Sequence, residues 1–479
     1  MPSLNEAQTT AIAQLMRIAP VIDELGQLFT AAGRELYLVG GSVRDALLGT
    51  LGHDLDFTTS ATPDEIAELL GRYTRTTWDV GRAYGTIGAK KTLGGTEWLI
   101  EITTFRSDVY RHDSRKPEVA FGDNITDDLQ RRDFTINSMA INLADKTFVD
   151  PFHGLDDLAD RLIRTPGTPE QSFSDDPLRM MRAARFASRL GFEVAPEVKQ
   201  AMTDMAERIT IVSAERVNSE LTGLLLTDRP RAGLNLLVDT GIAEYVLPEL
   251  PAMRLERDEH MRHKDVYEHS LTVLDQAIAL EKQRGHSPDI VNRLAALLHD
   301  IGKPATRRLE GRKVTFHHHD VVGAKMARKR LQALHYSSAE IKSVCTLIEL
   351  HLRFHGYGEG QWSDSAVRRY VRDAGDELER LHILTRADCT TRNKAKANRL
   401  ATAYDHIEHH IDHLAAQEEL NAMRPDLDGT QIMQILGIQP GREVGQAYKH
   451  LLQLRIDEGP LGEERATEEL KAWWASRSS

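Results

Sequence analysis

The sequence predicts an α+β fold in which a mixed first third gives way to helices. Two observations carry this. Apolar runs of strand length, Leu36–Val39, Leu55–Thr59, Gly85–Lys90 and Trp98–Phe105, all fall in the first 105 residues. After Phe173 such runs nearly vanish, and apolar residues recur at three and four, the period of a helix face.

The first twenty residues read as an amphipathic helix, without the basic start and apolar core of a signal peptide. Leu36–Val39 ends in Gly40-Gly41, and Ser42 is expected to cap a helix carrying Arg44 and Asp45. Thr62 before Pro63 is a cap and first-turn pair for a helix over Thr62–Gly71. Leu93-Gly94-Gly95-Thr96 has the chemistry of a hairpin turn. The polar stretch Ser107–Asp128 is expected to be a mobile loop. Turn clusters such as LTDRP, TGIAEYVLPEL and RGHSPD cut the remainder into helices. Boundaries near 165, 255 and 410 give segments 1–165, 166–255, 256–410 and 411–479.

A chain of 479 residues suggests two to four domains. With 41% hydrophobic and 28% charged residues it is ordinary for a soluble globular protein. No apolar run approaches the roughly 18–20 residues of a membrane span. Cys345 and Cys389 stand in no disulfide or metal spacing, which suits a reducing, cytoplasmic setting. A net charge of −12 argues mildly against a nucleic-acid partner. Local patches still offer cations: Arg106–Lys116, Lys325–Arg330, Arg368–Arg372 and Arg392–Arg399. Each alone reads as a solvated helix face.

Asp54 and Asp56 flank Leu55, and in a strand residues two apart share a face. That makes a carboxylate pair for a divalent ion. Nucleotidyl transfer brings an oxygen onto a phosphorus already ringed by negative oxygens, and metal ions relieve that charge. Gly40 and Gly41 let backbone N–H groups approach a triphosphate, and Arg44 can add a charge-assisted bond. In strand–turn–helix–strand order these features resemble the polymerase-beta-like nucleotidyltransferases.

A second cluster runs through Arg131–Asn137, Asp150–Gly154 and Asp175–Phe186. Steps of three residues drift about 60° around a helix. Asp176, Arg179 and Arg182 therefore share a face, with Arg185 on its far side. An Asp–Arg pair accepts from the amine and donates to the ring nitrogen of cytosine or adenine. Guanine and uracil present those groups reversed and leave the pair unsatisfied. Taken alone, the same charges read as surface ion pairs.

From Leu36 to about Leu225 the ordered motifs resemble the class II tRNA nucleotidyltransferases, the CCA-adding enzymes, and their sister poly(A) polymerases. The resemblance implies a head with a small antiparallel sheet and helices, then an all-α neck, body and tail. It implies Mg2+ on Asp54 and Asp56, with CTP and ATP as substrates. It assigns nucleotide contacts to Gly40, Gly41, Arg44, Arg132, Asp176, Arg179, Arg182 and Arg185, and the sugar to Asn137. It implies tRNA as partner, without DNA or membrane, and Glu215–Leu221 matches the neck motif. Asp175 stands where the family usually has Glu. Glu101 is a candidate third acidic group, although a structural role under the sheet is expected.

Among 20 histidines an ordered set stands out: His269, His299-Asp300, His319, His351, then Asp388, with Gly302-Lys303-Pro304 after the His-Asp. It resembles the HD phosphohydrolase superfamily. His269, His299, Asp300 and Asp388 match the core, and His319 and His351 match the extra ligands of two-metal members. The resemblance implies a second divalent metal (nickel, manganese, magnesium or iron) and a phosphatase or 2′,3′-cyclic phosphodiesterase acting on RNA ends. A degenerate, purely structural HD domain is the alternative.

The leading expectation is template-independent CCA addition to tRNA. The rivals are a poly(A) polymerase, a partial enzyme adding only CC or only A, and a non-catalytic RNA-binding protein with an active HD domain. The absence of a Gly-Arg-Arg-Phe-type run in Thr86–Leu99 favours CCA addition over poly(A). The intact Asp54, Asp56 and Asp176–Arg179 weigh against a dead head.

Overall fold

The computed structural model describes residues 4–106, 122, 124–254, 265–310, 313–354, 362–390, 393–418 and 424–477. They divide into two compact units, 1–248 and 249–479.

In the first unit, helix α1 (Leu4–Ala31) buries Ile18, Val21, Ile22, Leu25 and Phe29, one apolar stripe at helical spacing. Strand β1 (Leu36–Val39) is buried throughout. A short helix, α2 (Gly41–Leu47), leads into β2 (Asp54–Thr59). Helix α3 (Pro63–Tyr73) starts at Thr62 with a reciprocal cap: Glu65 N–H donates to the Thr62 hydroxyl, and the Glu65 carboxylate accepts from Thr62 N–H at 2.9 Å. Strands β3 (Thr76–Trp78), β4 (Thr86–Leu93), β5 (Thr96–Thr104), β6 (Ala140–Asn142) and β7 (Phe148–Val149) complete a seven-stranded sheet in the order β3-β4-β5-β2-β1-β6-β7. Gly94 and Gly95, both at positive φ, close the β4–β5 hairpin as their dipeptide demands.

Every pairing in this sheet is antiparallel except β2 with β5, which run parallel. A parallel pair needs a long crossover, and α3, β3 and β4 supply it. Of the expected loop Ser107–Asp128, residues 107–121 and 123 lie outside the described residues. Its end is a helix, α4 (Ile125–Gln130), because the Asn124 side chain accepts from Asp127 N–H and caps it. Strand does not quite end at Phe173: Leu162–Ile163 pairs with Glu193–Val194, and Arg308–Glu310 with Lys313–Thr315.

The second unit is helical around the Ile290–Leu298 helix, which is buried on all sides from Val291 to Leu298. Its Arg293 survives burial because Glu281 accepts from Nε and Nη2 at 3.0 and 2.9 Å. Helices Gly429–Leu436, Arg442–Glu458 and Glu463–Arg477 share a separate core of Leu427, Ile432, Ala447, Leu451, Ala466 and Leu470. No helix among the described residues is long and apolar enough to cross a membrane.

Candidate active site and metal cluster

On β2, Asp54 and Asp56 are exposed while Leu55 between them is buried, so both carboxylates stand on the open face of the sheet. The β2–β5 register sets Asp56 beside Glu101. The expectation of Glu101 under the sheet is corrected: Ile100 and Ile102 take the core side, and Glu101 stands exposed on the acidic face. The Asp56 carboxyl is pushed up to about 6. Crowding by protein on one side is the largest cause, then the charges of Glu101 and Asp54, with Arg132 and Arg44 opposing. Three carboxylates that repel one another on an open face fit a hard divalent cation, whose binding would relieve them.

The turn before β2 is built differently from expectation. Ser42 does not cap α2; the capping position is Gly40, at φ 65, with no side-chain bond. The Ser42 hydroxyl instead accepts from Asp56 N–H at 2.9 Å and donates to the Asp54 carbonyl at 3.4 Å, tying α2 to the carboxylate strand. Gly40 is required by its positive φ; a Cβ there would also press on the mobile end of Arg132, 2.8 Å from Nη1. Arg44 is buried, held by Asp45 and by the Asn137 side-chain carbonyl. Arg132 pairs with buried Asp128 at 3.0 Å.

From Arg44 a hydrogen-bonded chain crosses to the Leu178–Leu190 helix. Asn137 Nδ2 donates to Asp133 at 3.0 Å, and Asp133 accepts from Arg182 at 2.7–2.8 Å. Arg182 and Arg185 then share Glu220, at 3.2 and 2.6 Å. Burial would raise the Asp133 carboxyl, but Arg182 and Asn137 overcome it and hold it at about 2. Arg185 is therefore not apart from Arg182. Their guanidinium groups meet at one carboxylate and both lie against the Phe186 ring, as does Arg44. Asp133 and Glu220 were not singled out from the sequence. Their only signal was a place inside the Arg131–Asn137 run and the neck motif. The structure does not pair Asp176 with Arg179. Asp176 accepts from Arg216 at 2.7 Å, and buried Arg179 donates to the Ser172 hydroxyl at 3.0 Å and to the Arg131 carbonyl.

In the second unit the histidines gather at helix ends. His269 lies in the Val266–Gln283 helix. His299, His351 and Asp388 follow the last residues of Ile290–Leu298, Ser338–Leu350 and Leu378–Ala387, and His319 opens His319–Ala333. Nδ1 of His299, His319 and His351 each bonds the carbonyl three residues back, at 2.9, 2.8 and 2.6 Å. That contact puts a proton on Nδ1 and, in His319 and His351, leaves Nε2 as a lone-pair donor facing inward; in His299, Nε2 lies against Asp300, whose charge favours the protonated ring. Asp300 is central: Oδ2 lies 3.2 Å from His299 and 3.4 Å from His269, Oδ1 3.3 Å from His319. Asp388 approaches His269 to 2.9 Å. Nε2 of His319 and of His351 is buried without a hydrogen bond. Burial, then the charge of His299, holds the His351 imidazole down at about 4, so it is neutral at physiological pH. Two overlapping sets, His269–His299–Asp300 and Asp300–His319–His351, have the spacing to hold metal ions, and inward lone pairs without a proton donor fit that role.

Comparison with known proteins identifies the family of the chain. An A-adding tRNA nucleotidyltransferase of Deinococcus radiodurans is 31% identical over 453 residues, covering 92% of this chain and 96% of that one. The chain belongs to the class II tRNA nucleotidyltransferase and poly(A) polymerase family. Family profiles divide this nucleotidyltransferase chain into three: a Poly A polymerase head domain at 36–164, a probable RNA and SrmB-binding site of polymerase A at 191–253, and an HD domain at 266–393. A CCA-adding enzyme of Levilactobacillus brevis is 45% identical over 227 residues, 47% of this chain and 54% of that enzyme. The chain thus spans about half the length of the CCA-adding enzymes it matches in sequence. The fold is also that of the Bacillus stearothermophilus CCA-adding enzyme solved with CTP, at TM-score 0.68 and 24% identity over 96% of this chain and 98% of that one. The family works with a divalent metal and nucleoside triphosphates.

Proposed function

We propose that this chain adds CCA to the 3′ end of tRNA without a template, in the cytoplasm, using CTP and ATP with Mg2+. The observation that carries the reading is the acidic row on the open face, Asp54, Asp56 and Glu101, beside the Gly40-Gly41 turn. Asp54 and Asp56 would hold the ion, which when bound supplies charge neutralisation at the reacting phosphorus. Gly40 and Gly41 let the backbone meet the triphosphate, and Arg132, partly open to solvent, adds positive charge beside Asp56. Asp176 and Arg179 read the base, with Arg216 giving up Asp176 to it. Arg182 and Arg185 support them from Glu220, and Arg44 and Asn137 fix the sugar side. Residues 1–165 form the head, 166–255 the neck and body, 256–410 the HD domain and 411–479 the tail. The HD domain holds a second divalent metal through His269, His299, Asp300, His319, His351 and Asp388, and acts as a phosphohydrolase on RNA ends. Its imidazole-rich donors favour a transition ion over magnesium.

The test is incorporation of single labelled nucleotides into tRNA lacking its terminal CCA. CTP followed by ATP, stopping at three residues, is the expected result. Addition of A alone, and only to tRNA already ending in CC, would give this chain the activity named for the Deinococcus relative. Long A-tails would make it a poly(A) polymerase. No incorporation would overturn the reading.

A further inference from the structure

We propose that Trp78 is a stacking platform for the terminal base of the RNA being extended. The proposal rests on the nucleotidyl-transfer reading above and names the residue that receives the primer.

The argument starts from register. Asp56 on β2 stands beside Glu101 on β5, Glu101 beside Gly88 on β4, and Gly88 beside Trp78 on β3. Residues in register across a sheet project from one face, so these four form a single row on the acidic face. Gly88 confirms the side: a Cβ built on it would run into the Trp78 indole. The ring therefore lies over Gly88, and only glycine lets it lie that close. Strands are spaced by about 4.8 Å, which puts the ring roughly 10 Å from Asp56, two strands away.

The two flanks of β2 differ in chemistry. On the β1 flank stand Gly40, Gly41 and the Arg132 charge, which suit a triphosphate. On the β5 flank stand Glu101, then the half-buried indole, with Leu99 partly exposed on the same face and Val80 exposed just beyond β3. Among the described residues the row itself holds no cation; Lys90, in register with Leu99 on this face, is paired with Glu97 at 2.7 Å, and Arg106 donates to the Thr86 hydroxyl at 3.3 Å. The attacking hydroxyl must approach the carboxylates from a side the triphosphate does not fill. Its base, a few ångströms beyond the hydroxyl, then falls over the Trp78 ring. Stacking on an aromatic face tolerates any base, which suits a primer end that changes with every addition.

The test uses the full chain with RNA carrying 2-aminopurine as its 3′-terminal base, a fluorophore quenched by stacking. Binding to the parent protein should quench it. Trp78→Leu, which still covers Gly88, should lose the quenching and raise KM for RNA about tenfold, with KM for CTP held within twofold. Trp78→Phe should restore both. Quenching and an RNA KM unchanged in Trp78→Leu would overturn the proposal, as would equal rises in the KM for RNA and for CTP. The quenching is read without catalysis. A parent protein that quenches but incorporates nothing therefore breaks the functional reading alone, whereas one that incorporates without quenching breaks this proposal alone.

Discussion

The two candidate metal sites solve opposite problems. The head site is open, made of oxygen donors only, and its carboxylates repel one another until a cation arrives. The histidine cluster is buried, rich in imidazole, and internally arranged. Backbone carbonyls hold three of its imidazoles at Nδ1, and Asp300 bridges both ligand sets. Burial explains the contrast in ligand type. A buried group of bare carboxylates would be prohibitively costly without its ion, whereas the two carboxylates of this cluster each lie against imidazoles that offset the cost of burying them. An exposed carboxylate row tolerates vacancy because water screens it, which suits an ion that comes and goes with its nucleotide.

If this division holds, damage to one site leaves the other working. The largest effect is expected for Asp54→Ala, which should lower nucleotide incorporation about a thousandfold while leaving metal content of the histidine cluster unchanged. Single-turnover incorporation and metal analysis of the same preparation read both. A variant retaining parental rates would remove the head site from the chemistry altogether.

Next in size is Asp300→Ala. It removes the only carboxylate common to the two ligand sets found among the described residues. Losing an outer hydrogen-bond partner costs a site roughly 10–100-fold in metal affinity, so losing this shared ligand should cost more, and any phosphohydrolase activity with it. Nucleotide incorporation should persist. Retained metal in the variant would mean that the two sets are independent and that Asp300 serves only to orient the imidazoles.

What the sequence made legible was local. The spacing of Asp54 and Asp56 put both on one exposed face, Thr62-Pro63 marked a helix start, and Gly94-Gly95 marked a turn. What it hid depended on partners distant along the chain. Ser42 has the residue type of a cap, but its hydroxyl serves Asp56 N–H, fourteen positions on. The place of Glu101 depends on a parallel register between strands separated by a crossover. A helical wheel separates Arg182 from Arg185, yet both long side chains reach back to Glu220. The basic run Arg368–Arg372 reads as a solvated helix face, and only part of it is: Arg369 and Arg372 are exposed, whereas Arg368 is buried. Arg368 donates to the Ile456 carbonyl, Arg369 pairs with Asp457, and Arg372 pairs with Asp373.

The smallest predicted effect bears most directly on the contrast between the sites. The folded protein holds the Asp56 carboxyl at about 6, above its ordinary 3.8. A carboxyl raised by folding favours the folded state below its unfolded value, and that contribution disappears as pH rises through 6. Without metal, the parent should therefore lose stability between about pH 4 and 6, and Asp56→Asn should escape the loss. A shift of about two units corresponds to roughly 3 kcal/mol at most. Because Asp56 is solvent-exposed, screening should leave about 1 kcal/mol. Thermal melts in chelator should then show the variant a few degrees more stable than the parent at pH 7, with the gap closing near pH 4. Saturating magnesium should reverse the order, since the ion stabilises only the protein that binds it. A variant no more stable than the parent in chelator at pH 7 would show that folding does not hold the Asp56 carboxyl above its ordinary range, and the distinction between a site waiting for its ion and one arranged around it would fail.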